Sequence, residues 1–151
     1  MKITRTAAAA LWLSTVALAA FEPNMIARAF AADPLGTWYT EGGDSQVRIG
    51  KCGGALCGSL VWLKEPKDAE GRPKTDRENA DPAKRSRPLL GVQIVLGMKP
   101  SSTPDEWDGK VYNAKDGKTY TGSFTLTGAN TAVLKGCIMV FCKSQTWTRA
   151  K

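Results

Sequence analysis

The chain contains no histidine. This removes the side chain that most often acts as general base near neutral pH, and with it Ser-His-Asp, Cys-His and histidine-metal chemistry. There are only four cysteines. No phosphate-binding glycine loop or dinucleotide fingerprint is written anywhere, and Asp76-x-Glu78-x-x-Asp81 lacks the ligand spacing of a calcium hand. Beyond the N-terminal region no apolar run approaches the roughly 20 residues that a membrane-spanning helix requires. The net charge is +7, but the basic residues are scattered among acidic ones instead of forming a track. That pattern describes a mixed, solvated surface and argues against a nucleic-acid partner. No cofactor is expected.

What the chain does contain is a phrase written twice. Ile49-x-x-Cys52-x4-Cys57-x-Ser59-x-x-Trp62 recurs as Leu134-x-x-Cys137-x4-Cys142-x-Ser144-x-x-Trp147. Four residues between two cysteines is the size of a hairpin loop, so each pair can face across two antiparallel strands and form a disulfide. Local pairing, Cys52–Cys57 and Cys137–Cys142, is the expectation; cross-pairing of the two copies is the alternative. Zinc is the competing use of four cysteines. The spacing is wide for a zinc hairpin and no histidine is available, so no metal site is expected.

The N-terminus supplies a compartment in which disulfides persist. Lys2 and Arg5 precede an apolar stretch from Ala7 to Ala20, and small residues follow, with Ala29-Phe30-Ala31 as the expected cleavage signal. Residues 1–31 read as a secretory signal peptide and 32–151 as a single domain, periplasmic or secreted. The stretch is short for a membrane anchor.

Strand signals dominate the remainder. Thr37 to Thr40, Gln46 to Ile49, Leu60 to Leu63, Gly91 to Leu96, Trp107 to Asn113, Lys118 to Thr127, and the hairpin of Ala132 to Val140 with Phe141 to Arg149 are rich in β-branched and aromatic residues. Turn signals separate them, Asp116-Gly117 being the plainest. About eight strands without an amphipathic helix indicate an all-β fold, an antiparallel up-and-down barrel or a sandwich, and the barrel is preferred because it abolishes sheet edges. Residues 64–90 interrupt the pattern with 8 basic and 6 acidic side chains, 4 prolines and no aromatic. This long polar loop is expected to contribute nothing to the core and to act as a lid or a mobile excursion.

Gly36-x-Trp38 on the first strand and Trp147-Thr148-Arg149 on the last resemble the signature of calycin barrels, the lipocalins and their relatives. That resemblance implies that Trp38 plugs one end of the barrel and Arg149 packs across its ring, a contact worth about 0.5–2 kcal/mol. A second set of residues extends the resemblance. It comprises Gly36-Thr37-Trp38, the run Cys57 to Trp62, Asp76-Arg77-Glu78-Asn79-Ala80-Asp81-Pro82 with Arg87-Pro88-Leu89-Leu90-Gly91, Trp107 to Tyr112 with Asp116 to Tyr120, and Ser144 to Arg149. In this order they resemble the exported bacterial family catalogued as domain of unknown function 2147, over nearly all of residues 33–149. The family often has proline where this chain has Ala80. It has no assigned activity, so no catalytic residue is carried over.

Eight strands enclose just enough space for packed side chains or one small ligand. Trp62, Trp107, Tyr112, Tyr120 and Trp147 are therefore candidate ligand-binding residues if their rings turn inward around a pocket, and core filler if they do not. The first reading makes the protein a binder of a small hydrophobic or amphiphilic ligand, with residues 64–90 as lid. The second makes it a solid, non-enzymatic envelope module that meets an acidic partner or a lipid headgroup through Lys84, Arg85 and Arg87. A carboxylate hydrolase built from Asp76, Glu78 and Asp81, or from Asp105, Glu106 and Asp108, is a third possibility, although both clusters read as solvated loop charges.

Overall fold

The computed structural model describes residues 33–151. The expected signal peptide and its cleavage site lie outside these residues. Eight strands follow in order: β1 Gly36–Tyr39, β2 Ser45–Cys52, β3 Ala55–Leu63, β4 Gln93–Pro100, β5 Glu106–Asn113, β6 Lys118–Gly128, β7 Thr131–Ile138 and β8 Phe141–Arg149. Each pairs antiparallel with its neighbour in sequence, and β8 returns to β1 to close the barrel. Short helical turns at Glu41–Gly43 and Pro82–Lys84 are the only other regular elements among the described residues. No helix among these residues is long and apolar enough to cross a membrane.

Alternation along the strands sets the interior. Val47 and Ile49 of β2, Val95 of β4, Phe124 and Leu126 of β6, and Ala132 and Leu134 of β7 are buried together with Trp38 and Trp147. Phe124 is the hub, with ring centroids 5.6 Å from Trp38 and 6.0 Å from Trp147, both edge to face, and 6.4 Å from Trp107. This packing fills the end of the barrel that holds the chain start of β1 and the chain end of β8.

That end is fastened by Arg149. Its guanidinium lies 4.2 Å from the centroid of the Trp38 ring. Its nitrogens donate to the carbonyls of Leu35 at 2.7 Å, Asp33 at 2.6 Å and Ala129 at 3.1 Å. Trp38 Nε1 donates to the Pro34 carbonyl at 3.0 Å. Gly36 has a φ of +118°, and a Cβ there would stand 3.1 Å from Arg149 Nη1. The glycine of Gly-x-Trp thus supplies both a backbone conformation that side chains disfavour and room for the guanidinium.

Both disulfides are local. Cys52–Cys57 staples the β2–β3 hairpin at the filled end and Cys137–Cys142 staples the β7–β8 hairpin at the opposite, open end.

The segment between β3 and β4 differs from expectation. It is folded back on itself, with Asp76 N–H donating to the Arg87 carbonyl and Leu89 N–H to the Lys74 carbonyl. Leu89 packs against the core, and Asp76 is 0% exposed. Hydrophobicity counting missed this because what holds the segment is a polar network, not apolar area. Asp76 accepts from Tyr112 Oη at 2.6 Å, from Asn79 Nδ2 at 2.8 Å, and from Arg87 Nε and Nη2 at 3.0 and 2.7 Å. The backbone of Glu78 presses on the β5–β6 turn so closely that a Cβ on Gly117 would fall 1.7 Å from its carbonyl oxygen. Only glycine fits at that contact, where φ is also positive at 70°.

Candidate functional site

Above the packed aromatic end the barrel is hollow. A cavity of about 590 Å³ opens at the end formed by the β1–β2 connection, the 64–92 segment, the β5–β6 turn and the β7–β8 hairpin. Its inner wall is apolar, with Val47, Leu60, Ile94, Val111 and Leu134 around Trp147. Trp147 therefore belongs to both halves: it packs on Phe124 below and faces the cavity above. Its indole N–H donates to Gln145 Oε1 at 3.2 Å.

The rim is charged. Lys64, Lys74, Lys115 and Lys143 share it with Glu41, Asp44, Glu65 and Asp116. Most of the carboxylates are already engaged. Glu65 lies 3.6 Å from Lys74 Nζ, Glu41 accepts from the Thr146 N–H at 3.3 Å, and Asp116 accepts from Tyr120 Oη and from the Lys118 N–H. Lys64, Lys115 and Lys143 make no ion pair among the described residues. Partial burial works to raise the Asp116 pKa, but the hydrogen bonds from Tyr120 and the Lys118 backbone prevail and hold it below its ordinary value. The same bond to Asp116 raises the Tyr120 pKa. The rim thus sets four lysines among four carboxylates over an apolar shaft, with Lys74 and Glu65 as its one ion pair among the described residues.

The five candidate aromatics divide. Tyr120 and Trp147 line the cavity, and Tyr112 borders it. The Tyr112 hydroxyl is committed elsewhere, donating to Asp76 and accepting from Asn79 at 2.9 Å. Burial, and then the bond to Asp76, push its pKa up to about 12. For Asp76, desolvation raises the pKa, while the donors Tyr112, Asn79 and Arg87 outweigh it and hold the carboxyl below its ordinary value. Trp107 sits in the filled half against Phe124, away from the cavity. Trp62 points outward, 40% exposed, with its ring 6.2 Å from Tyr39.

The outward Trp62 has a definite cause. Gln46 pairs with Trp62 and Val47 with Leu60, so Val61 is an extra residue in β3. A single inserted residue reverses the alternation, turning Trp62 out and Leu63 in. No bulge interrupts the β7–β8 pairing, so Trp147 stays inside. The two copies of the phrase share spacing but not side-chain direction.

Neither carboxylate cluster lines the cavity. Asp76 is buried under Arg87, and Glu106 accepts from Ser101 Oγ at 3.1 Å and Thr125 Oγ1 at 3.0 Å at the filled end. The basic trio is also committed within the chain. Arg87 binds Asp76, Arg85 Nε donates to the Asn79 carbonyl at 2.8 Å, and Lys84 lies 3.4 Å from Asp81. No group of three acidic or cysteine side chains that could hold a metal occurs among the described residues. The lining residues that sequence reading passed over, Lys143 and Gln145, share the inward parity of Trp147 on β8, and alternation back from that tryptophan would have found them.

An eight-stranded antiparallel barrel, filled at one end by a tryptophan under an arginine and open at the other, is a calycin-like fold. Among solved structures it is similar to protein HP1028 of the human pathogen Helicobacter pylori, described as belonging to the lipocalin family. The TM-score is 0.68 at 21% identity, covering 80% of this chain and 84% of that one. The sequence from 36 to 149 matches the family described as an uncharacterized protein conserved in bacteria (DUF2147), and the chain belongs to that family. No curated protein matches the chain.

Proposed function

We propose that the protein binds one small amphiphilic molecule, with its apolar part in the barrel on Trp147 and its polar head among the rim lysines. The cavity carries this reading. Its volume of about 590 Å³ lies within the range of small-molecule sites, which are characteristically apolar inside with a few polar groups to orient the ligand. Lys64, Lys115 and Lys143, outside any ion pair among the described residues, can meet an anionic head. Lys143 is the natural counter-ion, since it projects from β8 two turns of alternation above Trp147. Exchange with the surroundings passes through the open end, beside the 64–92 segment. Two disulfides are consistent with a periplasmic or extracellular setting, where such molecules are carried between membranes or sensed.

Native mass spectrometry of the protein as recovered from the cells that make it tests this directly. An added mass of a few hundred daltons, lost on denaturation, is expected. Titration with dodecanoate, read by tryptophan fluorescence, should show saturable one-to-one binding. Leu134→Trp, which fills the shaft, should abolish it, and Lys143→Glu should weaken it by about fivefold or more. A clean apo mass together with no dodecanoate response would remove the proposal.

A further inference from the structure

At the open end the β7–β8 hairpin exposes Ile138, Met139, Val140 and Phe141 consecutively, with Met139 92%, Val140 84% and Phe141 80% exposed. Scattered exposed apolar residues are ordinary, but four in a row at a protruding tip are not. Folding does not account for them. Tight hairpin turns favour glycine or asparagine where φ is positive, yet Met139 occupies the turn at φ 53°. The other copy of the same motif places Gly53-Gly54 at the equivalent turn. The Cys137–Cys142 disulfide lies immediately below the tip and holds it in shape.

The surroundings of the tip are basic. The hairpin from 135 to 144 carries Lys135 and Lys143 and no carboxylate. The neighbouring β5–β6 turn adds Lys115 and Lys118 at the same level, since Thr121 pairs with Cys137 and both chains continue outward from there. Its one carboxylate, Asp116, is occupied by Tyr120 and the Lys118 N–H. None of the four lysines makes an ion pair among the described residues. On the other side β8 pairs with β1 only at Arg149 and Thr148, so Phe141 to Gln145 are flanked by a strand on one side alone.

We propose that this tip is a membrane-docking element, in which Met139, Val140 and Phe141 enter the interfacial layer of an anionic bilayer while the lysines contact its headgroups. An apolar wedge in a cationic collar is complementary to such a surface in both chemistry and charge. Docking in this pose turns the cavity mouth towards the lipid. The inference concerns the tip and does not depend on the cavity being occupied.

Flotation with large unilamellar vesicles provides the test, using the purified protein with its N-terminal residue identified by mass. Wild type should float with vesicles of phosphatidylglycerol and phosphatidylethanolamine, and much less with phosphatidylcholine alone. Val140→Asp should reduce partitioning by about tenfold or more. Lys115→Glu with Lys118→Glu should also reduce it, by an amount that shrinks as salt rises. These positions are exposed, so folding, checked by circular dichroism, and dodecanoate binding to Val140→Asp should match wild type. Failure of wild type to float, or equal flotation by Val140→Asp, would overturn the proposal. Sedimentation velocity gives a further overturning result: a wild-type dimer lost in Val140→Asp would make the tip a contact between two copies of the chain. Loss of dodecanoate binding in wild type alone would strike the cavity reading and leave the docking element standing.

Discussion

At the filled end of the barrel, Trp38, Phe124 and Trp147 pack edge to face with almost no exposed surface. At the open end, one buried carboxylate holds the longest connection to the wall through Tyr112, Asn79 and Arg87. The first arrangement is non-directional and insensitive to protonation. The second is directional and charged, and it depends on every partner being present. An apolar plug can fill space completely, whereas a polar clamp can hold a loop at the edge of a cavity without filling it. The division explains how one small barrel has both a solid core and an open shaft.

The contrast is best broken from the filled side. Trp147→Ala should cost about 3–5 kcal/mol, because it removes a buried ring from the Phe124 cluster and opens the floor of the shaft; chemical denaturation measures this. Comparable losses from changes at the open end would refute the division of labour.

Asp76→Asn should cost less, about 2 kcal/mol, and should act locally. The pH dependence is its sharper signature. The Asp76 pKa is depressed in the folded state, so its contribution is present above the ordinary carboxylate value and is lost as pH falls through the depressed one. The Tyr112 pKa is raised, so its contribution is complete below the ordinary value of 10.0 and is lost as pH climbs towards about 12. Hydrogen exchange at the Asp76 and Leu89 amides should accelerate at both extremes before the amides of β6 and β7 do, and the acid limb should disappear in Asp76→Asn.

Trp62→Ala should have the smallest effect, about 1 kcal/mol or less, with unchanged dodecanoate binding, since an exposed ring against Tyr39 buries little. A loss as large as that of Trp147→Ala would mean that the Val61 bulge does not separate the two copies.

The strand order, the barrel and the local disulfides were legible because each rests on short-range pattern: alternation, turn residues and cysteine spacing. The cavity was not, since whether a ring faces inward depends on register, and register was reset at Val61 by one residue that leaves no mark on composition. Asp76 was read as a solvated charge for a different reason. Its partners Tyr112 and Arg87 lie far along the chain, and nothing near Asp76 announces that they converge. Gly117 shows the same gap: Asp116-Gly117 read correctly as a turn, while the backbone of Glu78 lying against it belongs to tertiary structure alone.

The grip of Arg149 on the carbonyls of Asp33 and Leu35 also gives the molecule a polarity. It brings the first and last described strands together at one pole, with the mouth and the apolar hairpin at the other. Any peptide fused before Asp33 or after Lys151 would issue from the tail of the molecule. A protein immobilised by either terminus would therefore present its mouth outward, away from whatever holds it.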